Sequence, residues 1–245
     1  GRKEISFHKK ISKIIYMIMK LIKGFKMKKI LMVVDYQNDF VDPKGALPVQ
    51  GANKLVNNIQ KRINSNEYEH TIYTFDTHTK EDYKDSDEQQ LFPNIHCEYK
   101  TKGWDFYKIK PVFAEKFNEL TNNKNNYFEM LENVFDNENY QGKKESFFTK
   151  NKFDIWEGNN VYEEWFNQNF DKEEYIIDVV GVATNYCVFM NVMGMIKRGY
   201  KVNIIEDCVE GIKNFPDGTI DPSFNANIET MKSYSVSFKQ GGSDV

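Results

Sequence analysis

The sequence predicts an α/β fold: three layers, α/β/α, around a central, mostly parallel sheet. Three observations predict it. The apolar runs Lys29–Val34 and Tyr175–Val180 are continuous rather than alternating, as in strands covered on both faces. Strand-like runs alternate with helical patterns, the order of right-handed βαβ units. Asp35, Asp76 with His78, and Cys187 fall just past three such strands, where open parallel sheets bind ligands.

Composition sets the bounds. The chain has 245 residues, 40% hydrophobic and 15% aromatic, enough to bury one large core. A net charge of −3 argues against nucleic acid as a partner. Three irregularly spaced cysteines make no disulfide framework and point to a reducing, cytoplasmic compartment. Residues 1–27 read as a basic extension ahead of a domain over 28–245, with an insertion at about 100–146. The apolar run Ile11–Ile22 is too short and too interrupted by lysine to span a bilayer. Lying on a membrane surface, addressing an organelle and packing as a helical arm on the domain or a second subunit all stay open.

Taken in order, Lys29–Val34 is the first strand, and Pro43, Gly45 and Pro48 mark the loop after it. Asn53–Asn64 carries Leu55, Val56, Ile59 and Ile63 on one helical face. His70–Phe75 is the second strand. Residues 79–96 are polar and acidic, the pattern of a solvated loop. Within the insertion, 113–120 and 127–135 read as short helices, and after it Phe147–Thr149 reads as a short strand. Tyr162–Phe170 reads as a helix capped by Asn160 with Glu163 three residues on. Tyr175–Val180 stops at Gly181. A helix begins near Asn185, buries Val188, Val192, Met195 and Ile196, and ends at Gly199. Lys201–Ile205 is a further strand, Pro222 opens a helix with Phe224, Ile228 and Met231, and Ser235–Phe238 is the last strand.

Several of these residues suit chemistry. Cys187 sits in the first turn of a helix, where unpaired N–H groups lower a thiol pKa and bind an oxyanion. The plain alternative is a small residue packing that helix on the sheet. Asp35 suits a general base for the thiol, or a loop cap. Lys150, with Lys152 as its rival, would keep such a carboxylate ionised. Asp76 and His78 point the same way if the strand continues. With His96 they offer ligands for zinc or iron, and Glu88, Asp85 or Asp87 a further carboxylate. Cys97 is a weaker candidate ligand. Phe40, Trp104, Phe153 and Trp156 suit either an aromatic pocket or the core, and His8 and His70 read as structural.

The motifs together resemble a known family. Val34-Asp35-Tyr36-Gln37-Asn38-Asp39-Phe40 resembles the opening motif of the isochorismatase-like cysteine hydrolases. Gly181-Val182-Ala183-Thr184-Asn185-Tyr186-Cys187-Val188 resembles their nucleophile motif. Asp76-Thr77-His78 with Leu91–Cys97 resembles the metal site of the nicotinamidase branch. The motifs stand in family order from about Lys28 to Phe238. The resemblance implies a catalytic triad of Asp35, Lys150 and Cys187, and a cis bond between Val182 and Ala183. It implies an oxyanion hole from the Ala183 and Cys187 N–H groups. It also implies one divalent metal, zinc with iron or manganese as alternatives, on Asp76, His78, His96 and, as the best-matching carboxylate, Glu88. Phe40 and Phe153 would line the substrate pocket. The implied activity is hydrolysis of nicotinamide to nicotinate and ammonia in NAD salvage, by a homo-oligomer. The rival readings are a same-fold amidase acting on a carbamoyl or ureido group and a non-catalytic metal-binding scaffold. Two positions depart from the pattern: Asn185 stands where many relatives have Asp, and Thr77 where some have Trp.

Overall fold

The computed structural model describes residues 26–112, 139–142 and 144–241, with Ile14 and Ile18. Most of the 1–27 extension, His8 and the helices expected at 113–120 and 127–135 lie outside the described residues. Within them, seven strands form one sheet: β1 (Lys28–Val34), β2 (Tyr68–Asp76), β3 (Asn139–Gln141), β4 (Glu145–Lys150), β5 (Tyr175–Val182), β6 (Lys201–Glu210) and β7 (Ser237–Lys239). Their order is β3-β4-β2-β1-β5-β6-β7, and every neighbouring pair is parallel except β3 with β4. The helices are α1 (Asn38–Val41), α2 (Val56–Ile63), α3 (Lys80–Tyr83), α4 (Asp87–Leu91), α5 (Ile155–Gly158), α6 (Tyr162–Asn169), α7 (Cys187–Lys197) and α8 (Ser223–Ser233).

Side-chain alternation on β1 builds the two cores that make three layers. Leu31 and Val33 face one core, with Ile59 and Ile63 of α2 and the aromatics Phe92, Trp104 and Phe106. Ile30, Met32 and Val34 face the other, with residues of α5, α6, α7 and α8 such as Trp156, Phe166, Val192 and Met231. β1 is buried through both faces, which is why its sequence is a continuous apolar run. The chain works outward from β1 through β2 to β4 on one side, and from β5 through β6 to β7 on the other. The strand order therefore reverses between β1 and β5, the place where such sheets bind ligands.

Local structure departs from the sequence expectation in several places, the last strand among them, which is Ser237–Lys239 rather than Ser235–Phe238. The helix expected at 53–64 is a 3-10 turn, Ala52–Lys54, followed by α2. β5 runs on through Gly181, and β6 extends to Glu210, because Gly181 and Val182 pair with Val209 and Glu210 beyond a shift in register. The N-cap of α6 is Val161 rather than Asn160 and has no side-chain cap, and Asn159 Oδ1 accepts from the Val161 and Tyr162 N–H groups. The acidic 79–96 stretch is not a plain solvated loop. Thr79 and Asp82 form a reciprocal capping box on α3, and Ser86 caps α4. Those two short helices bury Tyr83 and Glu88.

Candidate active site

The carboxyl ends of β1, β2, β4 and β5 converge, and each delivers one polar group. Lys150 ends β4, opposite Asp76 at the end of β2. Asp35 follows β1 with a φ of 45°, so its side chain leaves the strand's path. Its N–H and Oδ1 both meet Thr74 Oγ1, the latter at 2.6 Å with the hydroxyl donating. After β5, the Val182–Ala183 peptide is cis. The chain then turns through residues 183–186 into α7, with the Tyr186 and Val188 N–H groups both reaching back to the Ala183 carbonyl, at 3.0 and 3.2 Å. This puts Cys187 in the first turn of α7.

Lys150 links these groups. Its Nζ lies 2.8 Å from Asp35 Oδ2 and 3.1 Å from Asp76 Oδ1, donates to the Lys152 carbonyl at 3.0 Å, and lies 3.4 Å from Cys187 Sγ. Lys152, the rival lysine, supplies only its backbone, and its side chain is exposed. Asp35, Lys150 and Cys187 are all buried, so charge interactions among them are far stronger than in water. Burial pushes the Cys187 thiol well up, opposed by Lys150. Burial likewise raises Asp35, again opposed by Lys150. Burial would push Lys150 down, but Asp35 and Asp76 hold it well above its usual value, so it stays charged. A carboxyl with a raised pKa beside a thiol is suited to carry one proton back and forth.

Beside this trio, one ligand atom from each of Asp76, His78, Glu88 and His96 lies within 4.8 Å of the others, and all four residues are buried. His78 Nε2 is 3.0 Å from Asp76 Oδ2 and 3.4 Å from Glu88 Oε2. His96 Nε2 is 2.8 Å from Glu88 Oε1 and 3.3 Å from Asp76 Oδ2. Both imidazoles therefore turn Nε2 inward. Their Nδ1 atoms face outer partners: Asp82 for His78, and the Asn94 carbonyl and Tyr83 hydroxyl for His96. That is the usual arrangement behind a ligating histidine. The group fits a cation on two further grounds. Among the described residues, Glu88 Oε2 is buried with no hydrogen-bond partner. Burial would lower both imidazoles, yet Asp76 and Glu88 outweigh it and hold His78 at about 10 and His96 at about 9. Two carboxylates with two imidazolium protons can exchange those protons for one divalent cation at no change in net charge. Burial would also raise Asp76, but Lys150 and His78 keep it well below its usual value.

The other candidates divide. Asp85 and Asp87 are exposed and outside the ligand group. Cys97 is buried in the core, and its N–H donates to Asp39 Oδ2 at 2.7 Å. The Phe40 ring packs 5.1 Å from His96, and the partly buried Phe153 lies 5.2 Å from Tyr186. Trp104 packs on Phe75, and its indole N–H donates to Thr77 Oγ1 at 2.9 Å. Trp156 lies in the opposite core, under Arg198 and beside α7, away from the ligand group. His70 pairs with Ser146 in the sheet.

Three contributors escaped the sequence reading. Gln37 clamps β2 to the site: its Nε2 donates to the Asp76 and Trp104 carbonyls, and its Oε1 accepts from the Asp76 N–H, each at 2.8 Å. Its polar side chain inside an otherwise apolar approach was the available signal. Tyr83 ties the Phe92 carbonyl and His96 together, and Thr74 orients Asp35. Neither carries a local signal, because each acts on residues outside its own element.

Comparison with known proteins follows the same lines. A family model described as an isochorismatase domain matches residues 29–217. The nicotinamidase of Escherichia coli (strain K12) is 27% identical over 209 residues, 76% of this chain and 84% of that protein. The nicotinamidase of Saccharomyces cerevisiae is 24% identical over 217 residues, 77% of this chain and 91% of that protein. Among solved structures, the pyrazinamidase of Pyrococcus horikoshii in complex with zinc superposes with a TM-score of 0.60 at 22% identity, covering 87% of this chain and 99% of that one.

Proposed function

The chain belongs to the isochorismatase family of hydrolases, and on that footing we propose that it is a nicotinamidase, converting nicotinamide to nicotinate and ammonia. The observation that carries the reading is the double reach of Lys150, 3.4 Å from Cys187 Sγ and 3.1 Å from Asp76 Oδ1. A thiol and a cation-binding group then share one crevice. An aromatic amide with a ring nitrogen can engage both at once. A carbamoyl or ureido substrate would leave the histidine-containing group without a task.

In the proposed reaction Asp35 accepts the Cys187 proton as Sγ attacks the carboxamide carbon. The Ala183 N–H, just after β5, and the Cys187 N–H, at the start of α7, stabilise the tetrahedral oxyanion. Asp35 returns the proton to the departing ammonia, leaving a thioester. Water then adds to the thioester, with Asp35 taking its proton, and nicotinate leaves as the thiol re-forms. Throughout, the Lys150 charge offsets the negative charge that passes between Asp35 and Cys187. Asp76, His78, Glu88 and His96 would hold a divalent cation, zinc, iron or manganese, which when bound would accept the ring nitrogen and orient the amide. Phe40 and Phe153 would bracket the ring. The proposal extends to a homo-oligomeric, cytoplasmic enzyme of NAD salvage. Support for the compartment comes from three buried, unpaired cysteines. Among the described residues, no helix is long and apolar enough to cross a membrane.

The test is release of ammonia from nicotinamide by the metal-loaded protein. Equal amounts of ammonia and nicotinate are expected, with loss on chelation and recovery on adding back a divalent cation. Turnover of a carbamoyl or ureido compound in place of nicotinamide would favour the rival amidase. Metal binding without any hydrolysis would favour the scaffold.

A further inference from the structure

A buried polar cluster ties residues 211–223, after β6, to the two residues before Cys187, and it takes no part in the proposed chemistry. Asn185 Oδ1 accepts from the Ile212 N–H at 2.9 Å, and its Nδ2 donates to the Ile212 carbonyl at 2.9 Å and to Ser223 Oγ at 2.8 Å. Asp221 is 2% exposed. Its Oδ1 accepts from the Ser223 N–H at 2.9 Å, while Oδ2 accepts from the Tyr186 hydroxyl and faces Asn185 Nδ2 at 3.5 Å. Among the described residues it has no cationic partner. A carboxylate buried without an ion pair needs fixed donors to replace water. An O–H donor to a carboxylate makes one of the stronger hydrogen bonds available. The far end of the Tyr186 side chain is thus anchored. Its ring packs 5.2 Å from Phe92 and 5.2 Å from Phe153, and Phe92 in turn packs against His96.

We propose that Asp221 is a positioning residue: by holding the Tyr186 hydroxyl it fixes the ring that forms, with Phe92 and Phe153, the aromatic wall between the histidines and Cys187. The wall then orients the ring of a bound aromatic amide, and its rigidity sets substrate affinity more than the chemical step. The identity of that amide rests on the nicotinamidase reading. The hold on Tyr186 does not.

Two measurements separate these parts. In protein carrying 13C-labelled tyrosine, with the Tyr186 signals assigned by their loss in Tyr186→Phe, slow ring flipping is expected in the wild type and fast averaging in Asp221→Ala. With nicotinamide, KM is expected to rise about tenfold in both Asp221→Ala and Tyr186→Phe, with kcat changed less than threefold, and the double variant no worse than either single one. Asp221→Asn, which still bonds the hydroxyl, should restore most of the affinity. Unchanged Tyr186 ring motion in Asp221→Ala overturns the anchoring. A freed ring with unchanged KM, or an additive double variant, overturns its link to substrate. Should Asp221→Ala fail to fold, Tyr186→Phe, which removes a single oxygen, gives the kinetic answer alone, and an unchanged KM there overturns the proposal. No ammonia from nicotinamide in the wild type, with the ring still freed by Asp221→Ala, refutes the nicotinamidase reading and leaves the anchoring standing.

Discussion

Lys150 Nζ touches Asp35, Asp76 and Cys187 from a position with 1% exposure. Among the described residues Lys150 is the cation that compensates Asp35, whereas Asp76 also faces His78 and His96. Replacing it in Lys150→Met leaves Asp35 uncompensated, and breaking a buried pair in this way costs about 3–5 kcal/mol. For a chain of this size that is a fall in melting temperature of roughly 10 °C, together with a loss of activity of at least about a hundredfold. Calorimetry beside an ammonia assay checks both, and an unchanged melting temperature would show that Asp35 is held some other way. Cys187→Ala has the opposite profile. Turnover should vanish while bound metal, measured on the purified protein, stays at the wild-type level, because the thiol lies outside the ligand group. Normal ammonia release by that variant would rule out covalent catalysis.

At the level of elements, the site depends on how closely β5 approaches β1. Gly181 pairs with Val34 and has a φ of 113°, a region where only glycine is at ease. A Cβ there would run into the Val34 carbonyl. Gly181→Ala should therefore yield little soluble, folded protein. Gly218→Ala is the control: its φ of 86° also favours glycine, but a Cβ there meets nothing, so a loss of only about 1 kcal/mol is expected. Equal yields and melting curves for the two would mean that β5 can move away from β1 freely. The short helices α3 and α4 have a related role. Their caps, Thr79 and Ser86, turn a charged stretch inward so that Glu88 faces the histidines. No apolar periodicity marks such a segment, and it reads as solvated loop until the caps are seen to close it.

For the molecule as a whole, pH acts through carboxylates that the fold desolvates. Burial raises Asp105 from the usual 3.8 to about 6, against the Phe106 N–H that favours its charged form. The native state therefore binds this proton more tightly than the unfolded chain does. The resulting stability is present in full below pH 4 and is lost as pH rises through 6. Asp105→Asn removes the penalty. It should stabilise the protein by up to about 3 kcal/mol above pH 7, with the gain shrinking to nothing near pH 4. Urea unfolding of both proteins across that range would reveal it, and a gain independent of pH would assign the effect to packing instead.

The sequence by itself determined the parallel sheet, since strands buried on both faces must be continuously apolar. It also placed Asp35, Asp76 and Cys187 together, since the ends of parallel strands lie at one edge of the sheet. His78 could be read from the alternation of a strand, and Gly199 from the way helices end. The Asp35–Lys150–Asp76 bridge, the burial of Glu88, the clamp made by Gln37 and the anchor of Tyr186 on Asp221 were decided only by the tertiary structure. Each joins residues from separate elements at distances of 3–4 Å or less. Such contacts depend on strand order, register and loop path, which arise from packing the whole chain at once and leave no periodic trace in any one segment.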